Sequence, residues 1–222
     1  MNSEATLEET QSLHIKKYIY LGVKRIFDIT LALVGCIFLL PIALIVKISY
    51  ILNKDYESIF FSQDRIGKNG KTFKFYKFRS MVVNADKVLE ELLKNDKEAR
   101  KEYKLNKKLK NDPRITKMGK ILRKTSLDEL PQLINVLRGD MSLIGNRPYL
   151  PREKEDMGNY YDTILKTKPG LTGYWQVNGR SNTTFEERLK LEEYYSNHAS
   201  LKMDIKILFK TVYVVLFHKG AE

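Results

Sequence analysis

Residues 125–132 read Thr-Ser-Leu-Asp-Glu-Leu-Pro-Gln, and residues 138–148 read Arg-Gly-Asp-Met-Ser-Leu-Ile-Gly-Asn-Arg-Pro. The first stretch contains two adjacent carboxylates, and the second ends with an arginine in a turn. These residue types suit the chemistry of a site more than the packing of a core. The two stretches therefore hold the candidate site of the chain.

Asp128 and Glu129 have a purely structural explanation. Ser126, followed three residues later by Glu129, matches a capping box, and acidic side chains stabilise the first turn of any helix. In that case both carboxylates would serve only the helix.

Pro131 argues against a helix that begins at Leu127. The proline would occupy the fifth helical position, where its missing N–H and its ring both oppose the helix. A helix from Pro131 to Arg138, stopped by Gly139 in a left-handed conformation, fits the sequence better. The two acids would then precede a helix N-terminus, which is also where phosphate and its accompanying cation bind.

The same residues suit phosphate chemistry. An aspartate can attack a phosphorus atom and form an acyl phosphate, which divides one displacement into two steps. A neighbouring carboxylate and a divalent cation would then manage the charge. Arg147, between Gly145-Asn146 and Pro148, is presented rigidly and is suited to clamp phosphate oxygens in a bidentate fork.

Three motifs in this order resemble one family of membrane enzymes. They are Asp-Glu-Leu-Pro-Gln at 128–132, Met-Ser-Leu-Ile-Gly-x-Arg-Pro at 141–148, and Pro-Gly-Leu-Thr-Gly-Tyr-Trp-Gln-Val-Asn-Gly-Arg at 169–180. From about Lys24 to its C-terminus the chain is similar to bacterial sugar transferases, the monotopic polyprenyl-phosphate phosphoglycosyl transferases. Members often have Pro-Arg-Pro where this chain has Asn146-Arg147-Pro148, so we expect a less rigid turn here.

The resemblance implies a two-step transfer of a hexose 1-phosphate from a UDP-sugar to undecaprenyl phosphate, with release of UMP. It implies that Asp128 is the nucleophile and forms a sugar-phosphoryl aspartate. Glu129 would bind or orient the metal and the acceptor, and both acids are candidate ligands of Mg²⁺. The pattern looks more like members that use galactose or glucose than like those that use diacetamido sugars.

Further site residues are implied by the same resemblance. Basic positions in the family motifs Gln-x-Arg-x-Gly and Lys-Phe-Arg match Arg65, Lys77 and Arg79, which with Arg147 would hold the diphosphate. Secondary candidates for phosphate or substrate contact are Arg180 and Asp204, although Asp204 is equally suited to cap a helix. Trp175 is expected to be structural and not a platform for uridine.

The composition calls for an anionic partner. The 222 residues carry a net charge of +12, which suits nucleic acid, anionic lipid or a phosphorylated substrate. The lysines are spread along the chain without a motif that reads nucleic acid, so we expect no nucleic-acid partner. The only cysteine is Cys36, and the three histidines lack metal-ligand spacing, so a metal here would be a hard cation held by oxygens.

Residues 26–52 are almost wholly apolar and long enough to cross a bilayer. The run is too long and begins too late for a signal peptide. Basic residues flank it on both sides, at positions 16, 17, 24 and 25 and at 47, 54, 65 and 68, so the positive-inside rule places both ends in the cytoplasm. Pro41 supplies a break, and we expect a re-entrant helix more than a spanning one.

The remaining segments predict ordinary elements. Lys68-Asn69-Gly70 joins two β-prone runs into a hairpin, and residues 84–109 form one solvated helix. A basic amphipathic segment at 116–124 suits either an anionic membrane surface or an ordinary surface helix. Residues 185–195 form a helix with Glu192 among its outward acids, and residues 202–217 form a core or interfacial element.

The predicted fold class is therefore α+β, a mostly helical cytoplasmic domain with a small β-hairpin and an N-terminal re-entrant, proline-broken membrane helix. Residues 1–17 are a mobile or weakly helical tail, 18–52 the membrane hairpin, and 53–222 the catalytic domain with interfacial amphipathic helices. We expect the cytoplasmic face of a bacterial inner membrane, contact with membrane lipids, and a homodimer.

Two other functions are compatible with parts of this pattern. A membrane-anchored scaffold of the same fold would leave the two acids as a helix cap. A basic nucleic-acid binder would show steeply salt-dependent affinity, but it leaves the apolar run without an explanation.

Overall fold

The computed structural model describes residues 2–106, 109–179 and 183–216. Its elements confirm the predicted α+β class. The helices of the described residues are α1 Asn2–Leu52, α2 Ala85–Asn95, α3 Lys97–Asn106, α4 Lys117–Thr125, α5 Gln132–Arg138, α6 Lys154–Met157, α7 Tyr161–Ile164, α8 Tyr174–Asn178, α9 Phe185–His198 and α10 Leu201–Leu216. The strands are β1 Phe60–Ile66, β2 Thr72–Phe78, β3 Ser142–Ile144 and β4 Gly170–Thr172.

The chain divides into two compact units. The first unit contains Met1–Phe38, Ser62–Phe75 and Gln132–Glu222, and the second contains Leu39–Phe61 and Tyr76–Pro131. The predicted boundaries at residues 17 and 52, which enclose the membrane hairpin, stay a prediction.

Helix α1 contains the apolar run. Its part from Ile15 to Leu52 is long and apolar enough to cross a membrane. Pro41 lies inside the helix and does not end it, so the re-entrant path stays a prediction. The helix already begins at Asn2, which agrees with the weakly helical alternative for the tail. Large apolar side chains exposed along it include Ile26, Phe27, Leu33, Ile37, Phe38, Leu40, Leu44, Ile45 and Leu52.

Within the first unit, polar residues of α1 fasten it to the chain segments that surround the motif at 141–148. Arg25 donates from its two terminal nitrogens to the carbonyl oxygens of Val136 and Leu137, at 2.6 and 2.8 Å. These carbonyls belong to the last turn of α5, where few backbone donors remain, and that of Val136 also accepts from the amide of Gly139 at 3.0 Å. Asp28 is buried, and its Oδ1 accepts from the Oγ atom of Ser142 at 3.0 Å. Asp28, the acid inside the apolar run, thus has a structural role as a hydrogen-bond acceptor for the first residue of β3.

The helix predicted at 131–138 is confirmed as α5, one residue shorter at its start. Gly139 has φ +88°, as its expected left-handed stop requires. Leu127–Glu129 forms a separate 3-10 turn ahead of it in the chain. An α-helix from Leu127 is therefore not formed, and the capping-box alternative is wrong.

The predicted hairpin is confirmed as the two-stranded sheet of β1 and β2. Asn69 and Gly70, in the connecting turn, both have positive φ, at 57° and 77°. Such values are tolerated best by these two residue types.

A second sheet was not predicted from the sequence. Strands β3 and β4 pair in parallel, with Ser142 opposite Gly170 and Ile144 opposite Thr172. A Cβ atom on Gly170 would lie only 2.1 Å from the backbone nitrogen of Gly145. The two motifs at 141–148 and 169–180 therefore adjoin each other in the first unit, and the approach of their backbones requires glycine.

The single helix expected at 84–109 is wrong, because two helices occupy the described part of that segment. The backbone leaves the helical conformation at Asp96. Its Oδ1 atom accepts hydrogen bonds from the amides of Glu98 and Ala99, at 2.9 and 3.0 Å. An aspartate that caps a new helix in this way ends the preceding one.

Candidate active site

The catalytic acid predicted from the sequence lies in the second unit, on the turn Leu127–Glu129. Ser126, which ends α4, has φ 58° and ψ 15°, and no side-chain cap bond from it is found among the described residues. The left-handed residue turns the chain sharply between α4 and the two carboxylates. Asp128 and Glu129 therefore lie on a turn, and their side chains do not cap an α-helix.

Lys77 on β2 joins the two carboxylates into one cluster. Its Nζ atom lies 2.6 Å from Oε1 of Glu129 and 3.6 Å from Oδ2 of Asp128. Asp128 is 8% exposed, whereas Glu129 and Lys77 are partly open to solvent. The structure thus brings together three of the residues that the sequence selects.

The environment of Asp128 perturbs its acidity. Burial raises the pKa of this carboxyl above its ordinary value, Lys77 opposes that rise, and the neighbouring Glu129 adds to it. A poorly solvated carboxylate is more reactive toward phosphorus than a hydrated one, provided that a cation keeps it ionised. Lys77 is placed to do this.

The cluster also fits a hard divalent cation. Two carboxylates converge on one positive charge, and Mg²⁺ typically takes one or two carboxylates and completes its shell with water and phosphate oxygens. Within the described residues, no group of three or more His, Cys, Asp or Glu side chains forms a cage of its own. Asp128 and Glu129 are thus the residues that would hold the ion together with a phosphorylated substrate.

Arg79, also in the second unit, is engaged by its neighbours. Its terminal nitrogens donate to both carboxylate oxygens of Asp55, each at 2.9 Å, and its Nε donates to the carbonyl of Ser58 at 2.8 Å. The guanidinium also lies over the ring of Tyr50 at 4.5 Å. This geometry indicates a structural role, and the predicted contact with the diphosphate receives no support from it.

In the first unit, Arg65 and Arg147 meet at one carboxylate. Arg147 Nη1 donates to Oε1 of Glu153 at 3.2 Å, and Arg65 Nη1 lies 4.0 Å from the other oxygen of that residue. Arg65 also donates to the carbonyl of Pro148 at 3.0 Å. Two guanidinium groups beside one carboxylate leave a net positive charge, which suits a phosphate group.

Glu192 on α9 fixes the backbone beside Arg147. Its Oε1 accepts from the amide of Arg147 at 3.0 Å, and its Oε2 accepts from the hydroxyl of Tyr149 at 2.7 Å. The residue is 1% exposed, so the prediction that it points outward is wrong. The sequence held a signal for this, because Glu192 follows Leu189 by three residues and so shares its buried face.

Burial raises the pKa of Glu192 from 4.5 to about 7, and the two hydrogen bonds and the cations Arg147 and Arg188 oppose that rise. Between pH 4.5 and about 7 the folded chain keeps a proton on Glu192 that the unfolded chain releases. The free energy of unfolding therefore falls as pH rises from 4.5 to about 7 and levels off above it. For wild-type protein in detergent, we expect Glu192 to lower the free energy of unfolding by up to about 1.4 kcal/mol for each pH unit between these two pKa values.

The Glu192→Gln variant removes this group and should show a flatter dependence. Thermal unfolding of both proteins at pH 5 and pH 8 checks the prediction. Equal pH dependence in the two proteins would contradict it.

Asp204 is buried in a network that links three helices of the first unit. It accepts from the hydroxyl groups of Tyr195 at 2.7 Å and Tyr20 at 2.9 Å, and from Lys24 at 2.6 Å. All these partners belong to α1 and α9, so the geometry indicates a structural anchor at the start of α10. Its role in substrate binding stays a prediction without support from these contacts.

Two further predictions concern the motif at 169–180. Trp175 donates from Nε1 to Thr183 Oγ1 at 2.8 Å and lies under the guanidinium of Arg188 at 4.3 Å, which agrees with the expected structural role. Arg180 lies outside the described residues.

Residues 19–218 match the family described as bacterial sugar transferase. The chain belongs to the bacterial sugar transferase family. This sugar transferase chain is 48% identical over 199 residues to the UDP-galactose-lipid carrier transferase of Erwinia amylovora. It is 47% identical over 199 residues to the undecaprenyl-phosphate galactose phosphotransferase of Salmonella typhimurium.

Coverage differs between these relatives of the sugar transferase chain. Each of the two alignments covers 90% of this chain but only 41% of the relative, so the chain spans less than half of their length. The exopolysaccharide production protein ExoY of Sinorhizobium fredii is 42% identical over 198 residues, which is 89% of this chain and 87% of that protein. The family resemblance predicted from the three motifs is thus confirmed.

Proposed function

We propose that this chain transfers a hexose 1-phosphate from a UDP-sugar to undecaprenyl phosphate and releases UMP. The observation that carries the proposal is the cluster of Lys77, Asp128 and Glu129, in which a buried carboxylate lies beside an ammonium group. The names of relatives support the substrate classes, since they include a galactose phosphotransferase and a UDP-glucose:undecaprenyl-phosphate glucose-1-phosphate transferase.

The proposed reaction has two displacements. In the first, an oxygen of Asp128 attacks the β-phosphorus of the UDP-sugar, the bond from that phosphorus to the bridging oxygen breaks, and UMP leaves. In the second, an oxygen of the lipid phosphate attacks the same phosphorus and Asp128 leaves as a carboxylate. The product is a sugar diphospholipid, and the nucleophile is regenerated.

Lys77 and Glu129 serve the nucleophile in this proposal. Lys77 keeps Asp128 ionised and offsets repulsion between the carboxylate and an anionic diphosphate. Glu129 holds the lysine at 2.6 Å and would share a cation with Asp128. A bound Mg²⁺ would supply charge neutralisation to the phosphates.

We assign Arg65 and Arg147 of the first unit to phosphate binding. Their support is the local excess of positive charge around Glu153. A tetrahedral phosphate offers several oxygens to two forked donors, whereas one carboxylate offers only two.

The apolar part of α1 would place the enzyme where its acceptor is. Undecaprenyl phosphate does not leave the bilayer at an acceptable free energy, so a soluble enzyme would not reach it. We propose a monotopic protein on the cytoplasmic face of a bacterial inner membrane, with α1 re-entrant at Pro41. The basic residues on both flanks of the apolar run support this topology.

The test is UMP release by protein in nanodiscs that contain undecaprenyl phosphate. A panel of UDP-sugars is supplied with Mg²⁺, and UDP-galactose and UDP-glucose are the expected donors. Chelation by EDTA should abolish release, and added Mg²⁺ should restore it. Turnover that is unaffected by EDTA would contradict the metal assignment, and release of UDP in place of UMP would contradict the reaction.

A further inference from the structure

The turn that carries Arg147 is held through the side chain of Asn146. This residue is 3% exposed. Its Nδ2 atom donates to Ser196 Oγ at 2.6 Å, to the carbonyl of Ile164 at 3.1 Å and to Thr167 Oγ1 at 3.2 Å. The amide group is thus surrounded by acceptors, and its position is fixed from several directions.

The backbone on the other side of Asn146 is also fixed. Its carbonyl accepts from the amide of Gly170 at 2.8 Å, and the preceding Gly145 donates to the carbonyl of Thr172 at 2.9 Å. The Oδ1 atom of Asn146 is buried with no hydrogen-bond partner among the described residues.

Helix α9 holds the turn at two positions. Ser196 contacts Asn146, and Glu192, one helical turn earlier, accepts from the amide of Arg147 and from the hydroxyl of Tyr149. Residues four apart lie on the same face of a helix. One face of α9 therefore contacts the residue before Arg147, the amide of Arg147 itself, and the residue two positions after it.

We propose that Ser196 and Glu192 are positioning residues for Arg147. In this proposal Ser196 restrains the turn through its hydrogen bond with the side chain of Asn146. The hydrogen bonds of Asn146 replace the constraint that a proline ring would give at that position. The sequence predicted a less rigid turn at Asn146-Arg147-Pro148. We infer that the hydrogen bonds of Asn146 make this turn rigid. This inference rests on the proposed role of Arg147 in binding phosphate.

The inference is tested by the coupling between Ser196 and Asn146. We would prepare Ser196→Ala, Asn146→Pro, Asn146→Ala and both double variants, with Asn197→Ala as a matched control on an exposed position of α9. Two properties are measured for each: amide hydrogen exchange of the segment 145–150, and the KM and kcat for the UDP-sugar.

Ser196→Ala is expected to accelerate exchange in this segment and to raise KM about tenfold, which corresponds to the loss of one buried hydrogen bond, with a smaller change in kcat. In the Asn146→Pro or Asn146→Ala background the same substitution should change neither property further, because Asn146 no longer transmits it. Asn197→Ala should match wild type. The alanine background keeps the test valid if the proline variant does not fold.

Two results separate the inference from the proposed function. If Ser196→Ala leaves exchange unchanged, or acts equally with and without Asn146, the positioning role is overturned. If exchange accelerates and the coupling is present but KM stays at the wild-type value, the positioning of the turn is supported and the role of Arg147 in donor binding is overturned.

Discussion

Replacing Asp128 by asparagine is expected to lower UMP release by a factor of about 10³ or more, as for loss of a covalent nucleophile. The amide is neutral, nearly the same size, and does not attack phosphorus. The buried position should accept it, because the substitution removes a charge whose burial is unfavourable. The measurement is UMP release in nanodiscs at saturating UDP-sugar.

A matched control for this variant is Asp86→Asn on α2. That aspartate is exposed and belongs to none of the proposed site residues, so it should retain wild-type activity. Activity of Asp128→Asn within about tenfold of wild type would show that Asp128 is not the nucleophile, whereas a scaffold would release no UMP in either protein.

Replacing Lys77 by methionine is expected to lower UMP release at pH 7 by about 100-fold. The ammonium group lowers the pKa of Asp128, so its loss raises that pKa and leaves less of the reactive anion. The acid limb of the pH–rate profile should therefore move to higher pH. Part of the lost activity should return as pH rises, because the carboxyl then ionises again.

Lys77→Arg is the control for this second variant, because it keeps a positive charge beside the two carboxylates. It should retain the wild-type position of the acid limb even if geometry reduces its rate. A loss in Lys77→Met that is the same at every pH would refute the role of Lys77 in ionising Asp128.

Local chemistry explains which features were predictable from the sequence. Pro131 forbids a helix from Leu127, and Gly139 ends the next one, so the turn that presents Asp128 follows from two residues. The hairpin likewise follows from Asn69-Gly70. In each case the decisive interaction lies within a few residues along the chain.

Features that depend on distant partners were missed. Strands β3 and β4 have three residues each, which is too short for an alternating pattern, and their pairing joins segments 28 residues apart in register. Glu192 was assigned to solvent because an acid is rarely buried unless it is paired, and its partners at Arg147 and Tyr149 are distant in sequence.

The candidate site itself was predicted in part. Motif resemblance selected Lys77 as a contact of the diphosphate, and that role stays a prediction; the structure places its Nζ atom 3.6 Å from Oδ2 of Asp128. The motif records which basic residue occurs at that strand position. It does not record what each guanidinium contacts. Arg79 is engaged by Asp55 within the second unit, and that pairing is decided by packing and not by the pattern around either residue.

The covalent intermediate is the central claim, and intact-mass measurement tests it most directly. Delipidated protein would be mixed with its UDP-sugar and Mg²⁺ without undecaprenyl phosphate, then analysed whole and after proteolysis. We predict a gain of one hexose phosphate on the peptide that contains Asp128, one UMP released per chain, and neither in Asp128→Asn. An unchanged mass, with UMP released only after the lipid acceptor is added, would contradict the account and indicate direct transfer between the two substrates.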